Sequence, residues 1–263
     1  MAALVLCAAS CKKEKEDPIE PTKKLAEWSL EQADSTITPR DVFVWNGDNL
    51  VSITRHWITS SGEPTIEYFT CKDGRVVSEE YRSISVSYSY DGDKLIAIAS
   101  NDTNPRYAVW KNNWQFEYDG DKIVKCTHTF QGALAGSTGA VTNRTITQNI
   151  TWTGDNPTKI EENTILNGEN AGTTIYEFTY DGKSNPRYGQ IFYCSLYYVS
   201  TINFYGPHNI LTVKKTKISD SGEVAEPTYE YYEYTYDADG YPISYIASDG
   251  TSQWKYLYSY VEK

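Results

Sequence analysis

The chain has 263 residues, 40% of them hydrophobic, with 17 glycines, 10 prolines and no long helical pattern, the profile of one large all-β domain. Its formal net charge of −11 excludes a nucleic-acid role, because neutralising phosphates takes a basic surface that this composition lacks. Three histidines separated by long stretches, with neither a zincin helix nor a nucleophile elbow, give no metal or serine-hydrolase site, and no cofactor is expected.

Residues 1–11, Met-Ala-Ala-Leu-Val-Leu-Cys-Ala-Ala-Ser-Cys, are apolar and small, and the run from Lys12 to Asp17 is abruptly charged. This boundary resembles the end of a bacterial lipoprotein signal, with Ala8-Ala9-Ser10 before a lipidated Cys11. The resemblance implies a protein held at the cell outer membrane by its lipid anchor alone, on the periplasmic or the exposed side. Residues 12–21 contain Pro18 and Pro21 and no apolar period, as a flexible tether would. Residues 22–263 are read as a single β domain. Asp34-Ser35-Thr36 is similar to an O-glycosylation sequon of Bacteroidetes and equally suits a plain turn or cap.

A repeat then takes over. Val44-Trp45-Asn46-Gly47-Asp48, Tyr88-Ser89-Tyr90-Asp91-Gly92-Asp93-Lys94, Phe116-Glu117-Tyr118-Asp119-Gly120-Asp121-Lys122, Thr151-Trp152-Thr153-Gly154-Asp155, Phe178-Thr179-Tyr180-Asp181-Gly182 and Tyr234-Thr235-Tyr236-Asp237-Ala238-Asp239-Gly240 are copies of one another, and Lys72-Asp73-Gly74 adds a turn without the aromatic pair. Asp-Gly and Asn-Gly between alternating runs signal hairpins, because glycine accepts the positive φ of a tight turn. Gly47, Gly74, Gly92, Gly120, Gly154, Gly182 and Gly240 are therefore read as turn glycines. Ahead of the third turn, Ile84, Val86, Tyr88 and Tyr90 alternate with Ser83, Ser85, Ser87 and Ser89, which sends one set to a core and the other to water.

Turn glycines 28 residues apart (92 to 120, 154 to 182) or 34 apart (120 to 154) leave room for two strands of about ten residues and a second connection. The second connections are longer and more polar: 101–105, 131–142, 167–170 and 219–227. Short turns at one end and long loops at the other predict an antiparallel up-and-down meander of about fourteen strands. It should close into a water-soluble barrel or curl as a flattened sheet, its interior filled by the 23 tyrosines and seven tryptophans.

In the C-terminal half, Ser184-Asn185-Pro186-Arg187, an apolar run from Gln190 to Ile202 and Tyr205-Gly206-Pro207-His208-Asn209-Ile210 interrupt the repeat. Together with the tyrosine-aspartate-glycine turns, this order resembles a family of Bacteroidetes lipoproteins of unknown function with a porin-like fold. The resemblance implies a barrel and supplies no catalytic residue. Cys71, Cys126 and Cys194 allow at most one internal disulfide, whose pairing the sequence leaves open.

Two chemistries remain. Tyrosines along the last strands, with Tyr231, Tyr234, Tyr236 and Tyr258 as the tentative ligand face, offer flat rings to a polysaccharide, although such rings ordinarily pack against their cross-strand neighbours. A surface protein is the other partner considered. The paired carboxylates Glu79/Glu80, Glu161/Glu162 and Glu230/Glu233 are the raw material of a glycoside-active enzyme, but adjacent strand residues point to opposite faces. The expectation is a non-catalytic binding or structural module at the outer membrane, with the glycosidase as the alternative.

Overall fold

The computed structural model describes residues 23–56, 64–105, 107–134, 141–188 and 206–262. Cys11, the tether at 12–21 and Cys194 lie outside them. Sixteen strands follow in order: β1 (Lys23–Glu31), β2 (Ile37–Asn46), β3 (Asn49–Arg55), β4 (Thr65–Lys72), β5 (Arg75–Tyr81), β6 (Ile84–Asp91), β7 (Lys94–Asp102), β8 (Tyr107–Asp119), β9 (Lys122–Leu134), β10 (Thr142–Thr153), β11 (Asn156–Leu166), β12 (Glu169–Ser184), β13 (His208–Ile218), β14 (Thr228–Tyr236), β15 (Pro242–Ser248) and β16 (Gln253–Glu262). Each pairs antiparallel with its sequence neighbours, and β1 also pairs β16, so the meander closes into a barrel with no free edge. Six of the seven expected turns join strand pairs between β2 and β15, and the seventh pair, β12 and β13, is joined farther along the chain than Gly182. The two further strands, β1 and β16, meet at a seam that needs no turn.

Two kinds of two-residue turn recur. Gly47, Gly92, Gly120 and Gly154 have φ of +56°, +55°, +56° and +58°, and pairs such as Asp91↔Lys94 and Asp119↔Lys122 bracket two-residue loops. The loop is thus Gly92-Asp93 rather than Asp91-Gly92, with glycine at the first central position as a type II′ turn demands. Asp73-Gly74 and Asn167-Gly168 carry positive φ at both residues, the type I′ pattern, so the second of these is a tight reversal and not a long loop. Gly182 departs from the expectation. It lies inside β12 without a positive φ, at an irregularity between Tyr180↔Ile210 and Ser184↔His208, and the chain reverses only after Ser184.

Beside the turns at Gly47, Gly74, Gly92, Gly120, Gly154 and Gly240 the return strand carries one extra residue. Between β2 and β3 the register passes from Val44↔Ser52 to Trp45↔Leu50, leaving Val51 over; Val77, Ile96, Val124, Thr158 and Ile243 are its counterparts. Such a bulge disrupts the ladder and leaves the carbonyl before it in need of a donor. The aromatic of the neighbouring hairpin supplies one. Trp45 Nε1 donates to the Leu25 carbonyl at 2.8 Å, Tyr90 to Val76 at 2.9 Å, Tyr118 to Leu95 at 2.9 Å, Trp152 to Ile123 at 2.8 Å and Tyr260 to Pro242 at 2.7 Å. Tyr180 does the same to Pro157, and Cys71 Sγ stands in at Leu50, 3.5 Å away. A basic residue near the start of a strand completes the contact: Lys24, Arg75, Lys94 and Lys122 sit over the rings of Trp45, Tyr90, Tyr118 and Trp152 at 5.5–5.7 Å and donate to the next turn's glycine carbonyl. The recurring sequence motif is the chemistry of this belt.

Away from the belt, β6 sends Ile84, Val86 and Tyr88 inward and Ser85, Ser87 and Ser89 outward; β8 buries Trp114 and Phe116 and exposes Asn113, Gln115 and Glu117. Ile53, Ile98 and Ile160 are 0% exposed, so no column of water runs past them. Each such side chain contributes roughly 1.5–3 kcal/mol.

Candidate functional site

The wall made by β14, β15 and β16 carries the densest aromatic chemistry. Tyr229↔Lys214 and Tyr231↔Thr212 are opposite pairs, and opposite residues share a face, so Tyr229 and Tyr231 stand outside. They are 41% and 48% exposed and stacked at 6.2 Å and 13°. Tyr234, Tyr236 and Tyr258 point inward, so the structure brings these three of the tentative ligand residues together and leaves Tyr231 on the other side of the wall. The inner group packs around Tyr245, with ring centroids 5.4 Å away for Tyr234, 5.6 Å for Tyr258 and 4.8 Å for Tyr256. Tyr236 stacks on Tyr234 at 6.1 Å and donates its hydroxyl to Asp181. Tyr245 was missed because it stands alone between Ser244 and Ile246; counting the pairing Tyr234↔Tyr245 back from the Gly240 turn finds it.

These rings face a buried ion network. Arg55 donates from Nε to Glu67 and from Nη1 to Asp41 at 3.0 Å, all three nearly inaccessible. Arg187, from the connection after β12, crosses the interior to the opposite wall, where its Nη2 is 3.6 Å from the same Asp41 oxygen and its guanidinium lies 4.7 Å from the Trp28 ring. Trp28 stacks on Tyr256 at 5.1 Å, and its buried Nε1 has no hydrogen-bond partner among the described residues. No sequence signal marks Arg187 beyond its place after Asn185-Pro186. Asn185, Arg187, Ile210, Tyr234, Tyr245 and Tyr258 enclose a cavity with room for about one water molecule. Burial holds the Tyr234 and Tyr245 hydroxyls well above the ordinary phenol range and pushes Tyr258 up to about 12, with Arg187 opposing the shift at Tyr245 and Tyr258. All three are neutral hydroxyls at physiological pH.

The carboxylate pairs do not converge. Glu79 is buried and bonded by Tyr88 while Glu80 faces out to Ser85. Glu162 accepts from the inward Gln148 while Glu161 lies outside with Lys159. Glu230 pairs across from inward Val213, and Glu233 shares the outer face of Tyr231. A barrel wall separates each pair, so none can flank one glycosidic bond. His128 is stacked on Trp114 at 4.2 Å and bonded to Asn112, and burial first, Arg144 second, bring its pKa down to about 4. Among the described residues no group of acidic, histidine or cysteine side chains could hold a metal ion. Asp237 and Asp239 are instead gripped by Lys23 at 2.9 and 2.7 Å, which fastens the seam. Cys71 and Cys126 lie on β4 and β9, five strands apart, far beyond the reach of a disulfide.

No family model and no curated protein matches this sequence. The fold has solved counterparts. The crystal structure of a porin-like protein from Bacteroides vulgatus ATCC 8482 superimposes with a TM-score of 0.55 at 8% identity, over 91% of this chain and 99% of that one. A porin-like protein from Bacteroides uniformis ATCC 8492 gives 0.54 at 13% identity, over 92% and 98%. At these identities the likeness establishes a porin-like barrel fold.

Proposed function

We propose that this chain is a lipid-anchored outer-membrane protein whose barrel stands in water as a non-catalytic binding or structural module and does not conduct. The observation that carries this reading is the polarity of the wall at β6, β8 and β10, where Ser, Thr, Asn, Lys and Glu face outward and isoleucines and aromatics face inward; exposed apolar side chains such as Val44, Val51, Ile66 and Ile96 stand on other strands. A membrane-spanning barrel needs the reverse, an outward apolar band between aromatic girdles and a polar lumen. The boundary at Ala8-Ala9-Ser10-Cys11 supports the anchor. The exposed Tyr229–Tyr231 pair, beside the Lys214–Glu177 ion pair and the Thr179–Thr212 hydrogen bond, supports contact with a polysaccharide on the outer face, because flat rings flanked by polar groups suit a pyranose.

Metabolic labelling with a fatty-acid analogue tests the anchor, and a Cys11→Ala chain should lose the label. Planar-bilayer recordings should show no steps; open-channel currents would overturn the water-exposed barrel. On a glycan array with product analysis, retention without cleavage is expected, abolished by the Tyr229→Ala and Tyr231→Ala double variant. Cleaved products would restore the enzyme.

A further inference from the structure

We propose that the inner face of the barrel, at the end away from the glycine-aspartate turns, holds a binding site for a small aromatic carboxylate seated on Arg144 and the Trp110–Phe130 ring pair. Three adjacent strands build it. Asn112↔Phe130 and Phe130↔Arg144 are opposite pairs, and Asn112 is buried, so Phe130 and Arg144 face the interior with it. Trp110, opposite Gly132, meets the Phe130 ring edge-on at 4.9 Å and 77°, and Tyr107 lies against Trp110 at 4.5 Å. Gly132 makes this shelf possible. It sits inside β9 with no positive φ, but a Cβ there would run into the Phe130 ring, so the missing side chain is what lets that ring lie over the backbone.

Charge sets the sign of the guest. Arginine keeps its charge in proteins, and the Arg144 guanidinium sits 5.5 Å from the Phe130 ring. Among the described residues it has no hydrogen bond and no ion pair, and its Nε is shut off from water. Cations on the outer face are treated differently: Lys125, Lys159 and Lys214 each hold a carboxylate, at 2.7, 3.2 and 2.7 Å. Inside, Glu162 is taken by Gln148 at 2.8 Å, and His128, one row deeper, is uncharged at neutral pH. Shape sets the rest. Leu166 stands opposite Arg144 and is 42% exposed, so the shelf is open at that end, while the stack of His128 on Trp114 closes it below. A guanidinium fork grips a carboxylate through two parallel hydrogen bonds, and rings set edge to face accept a third ring in the same manner. Phosphate or sulfate would leave the rings idle, and a neutral sugar would leave the guanidinium without its anion.

Isothermal titration of the full chain with hydrocinnamate, and with hydrocinnamyl alcohol as the same body without the charge, tests the site. The acid should bind at least about tenfold tighter than the alcohol, as a hydrogen-bonded charge pair requires. Arg144→Gln should abolish that preference and leave the alcohol's affinity unchanged. Trp110→Ala should weaken both ligands alike, and Lys111→Gln, which removes a charge from the outer face of the same strand, should change neither. The Tyr229→Ala and Tyr231→Ala double variant should bind hydrocinnamate as the parent does, so failure of the outer sugar contact and failure of this site are read separately. Equal affinity for acid and alcohol, or binding of neither, overturns the site on the parent chain alone. An acid preference that survives Arg144→Gln, or that falls as far with Lys111→Gln, overturns it too.

Discussion

Gly92→Val and Gly120→Val should each destabilise the fold by more than about 1 kcal/mol, since β-branched residues resist a positive φ. Space is open around both glycines, so backbone strain alone is at work. Gly182, with no positive φ and equally open surroundings, should accept alanine within about 0.5 kcal/mol. Denaturant midpoints of the three variants check the contrast. His128 makes a pH prediction. Its folded pKa of about 4 lies below the ordinary value of 6.5, so both states are neutral above 6.5 and no stability is lost there. As pH falls from 6.5 to 4 the unfolded chain takes up a proton that the folded one refuses, and stability declines by up to about 1.4 kcal/mol per pH unit. His128→Phe keeps a ring against Trp114 and should flatten the pH profile over that window; an unchanged slope would place the loss elsewhere.

At the scale of the hairpin, the aromatic contacts between neighbours make a graded prediction. Tyr118→Phe removes the donor to the Leu95 carbonyl and should cost about 1–2 kcal/mol, because the bulge has left that oxygen nothing else in the ladder. Lys94→Ala removes a pairing with Asp121 that is largely in water and should cost less than about 1 kcal/mol. Comparing the two by chemical denaturation tells the hydroxyl from the charge. The repeat itself was legible in the sequence, and so was its turning of the chain at every copy except Gly182, which lies inside β12. Its reason was not, because a bulge shows only when Val44 is seen opposite Ser52 and Trp45 opposite Leu50. The same kind of blindness put Tyr231 with Tyr234: their difference of three positions is odd, and parity along an unbroken strand already sends them to opposite faces. Arg187 belongs to a third case, in which a residue matters because a loop carries it across the interior.

For the molecule as a whole, closure was the open question in the sequence, since turns count strands but do not say whether the first meets the last. The structure answers through Lys23↔Glu262 and Leu25↔Tyr260, and through Tyr260 reaching Pro242 as the other aromatics reach their neighbours. β16 and β1 therefore pair like the two strands of a hairpin, down to the register shift between Leu25 and Glu27, apart from one missing turn. That makes the position of the chain's ends arbitrary. A gene in which residue 262 is joined to residue 23 by Gly-Asp, and which starts afresh at Asp93 and stops at Gly92, should yield the same barrel with a midpoint close to that of the original order. If this rearranged chain fails to fold while its parent succeeds, the order in which the strands emerge is itself part of the folding instruction. If it folds, the eight reversals around that rim are interchangeable points of entry into one ring.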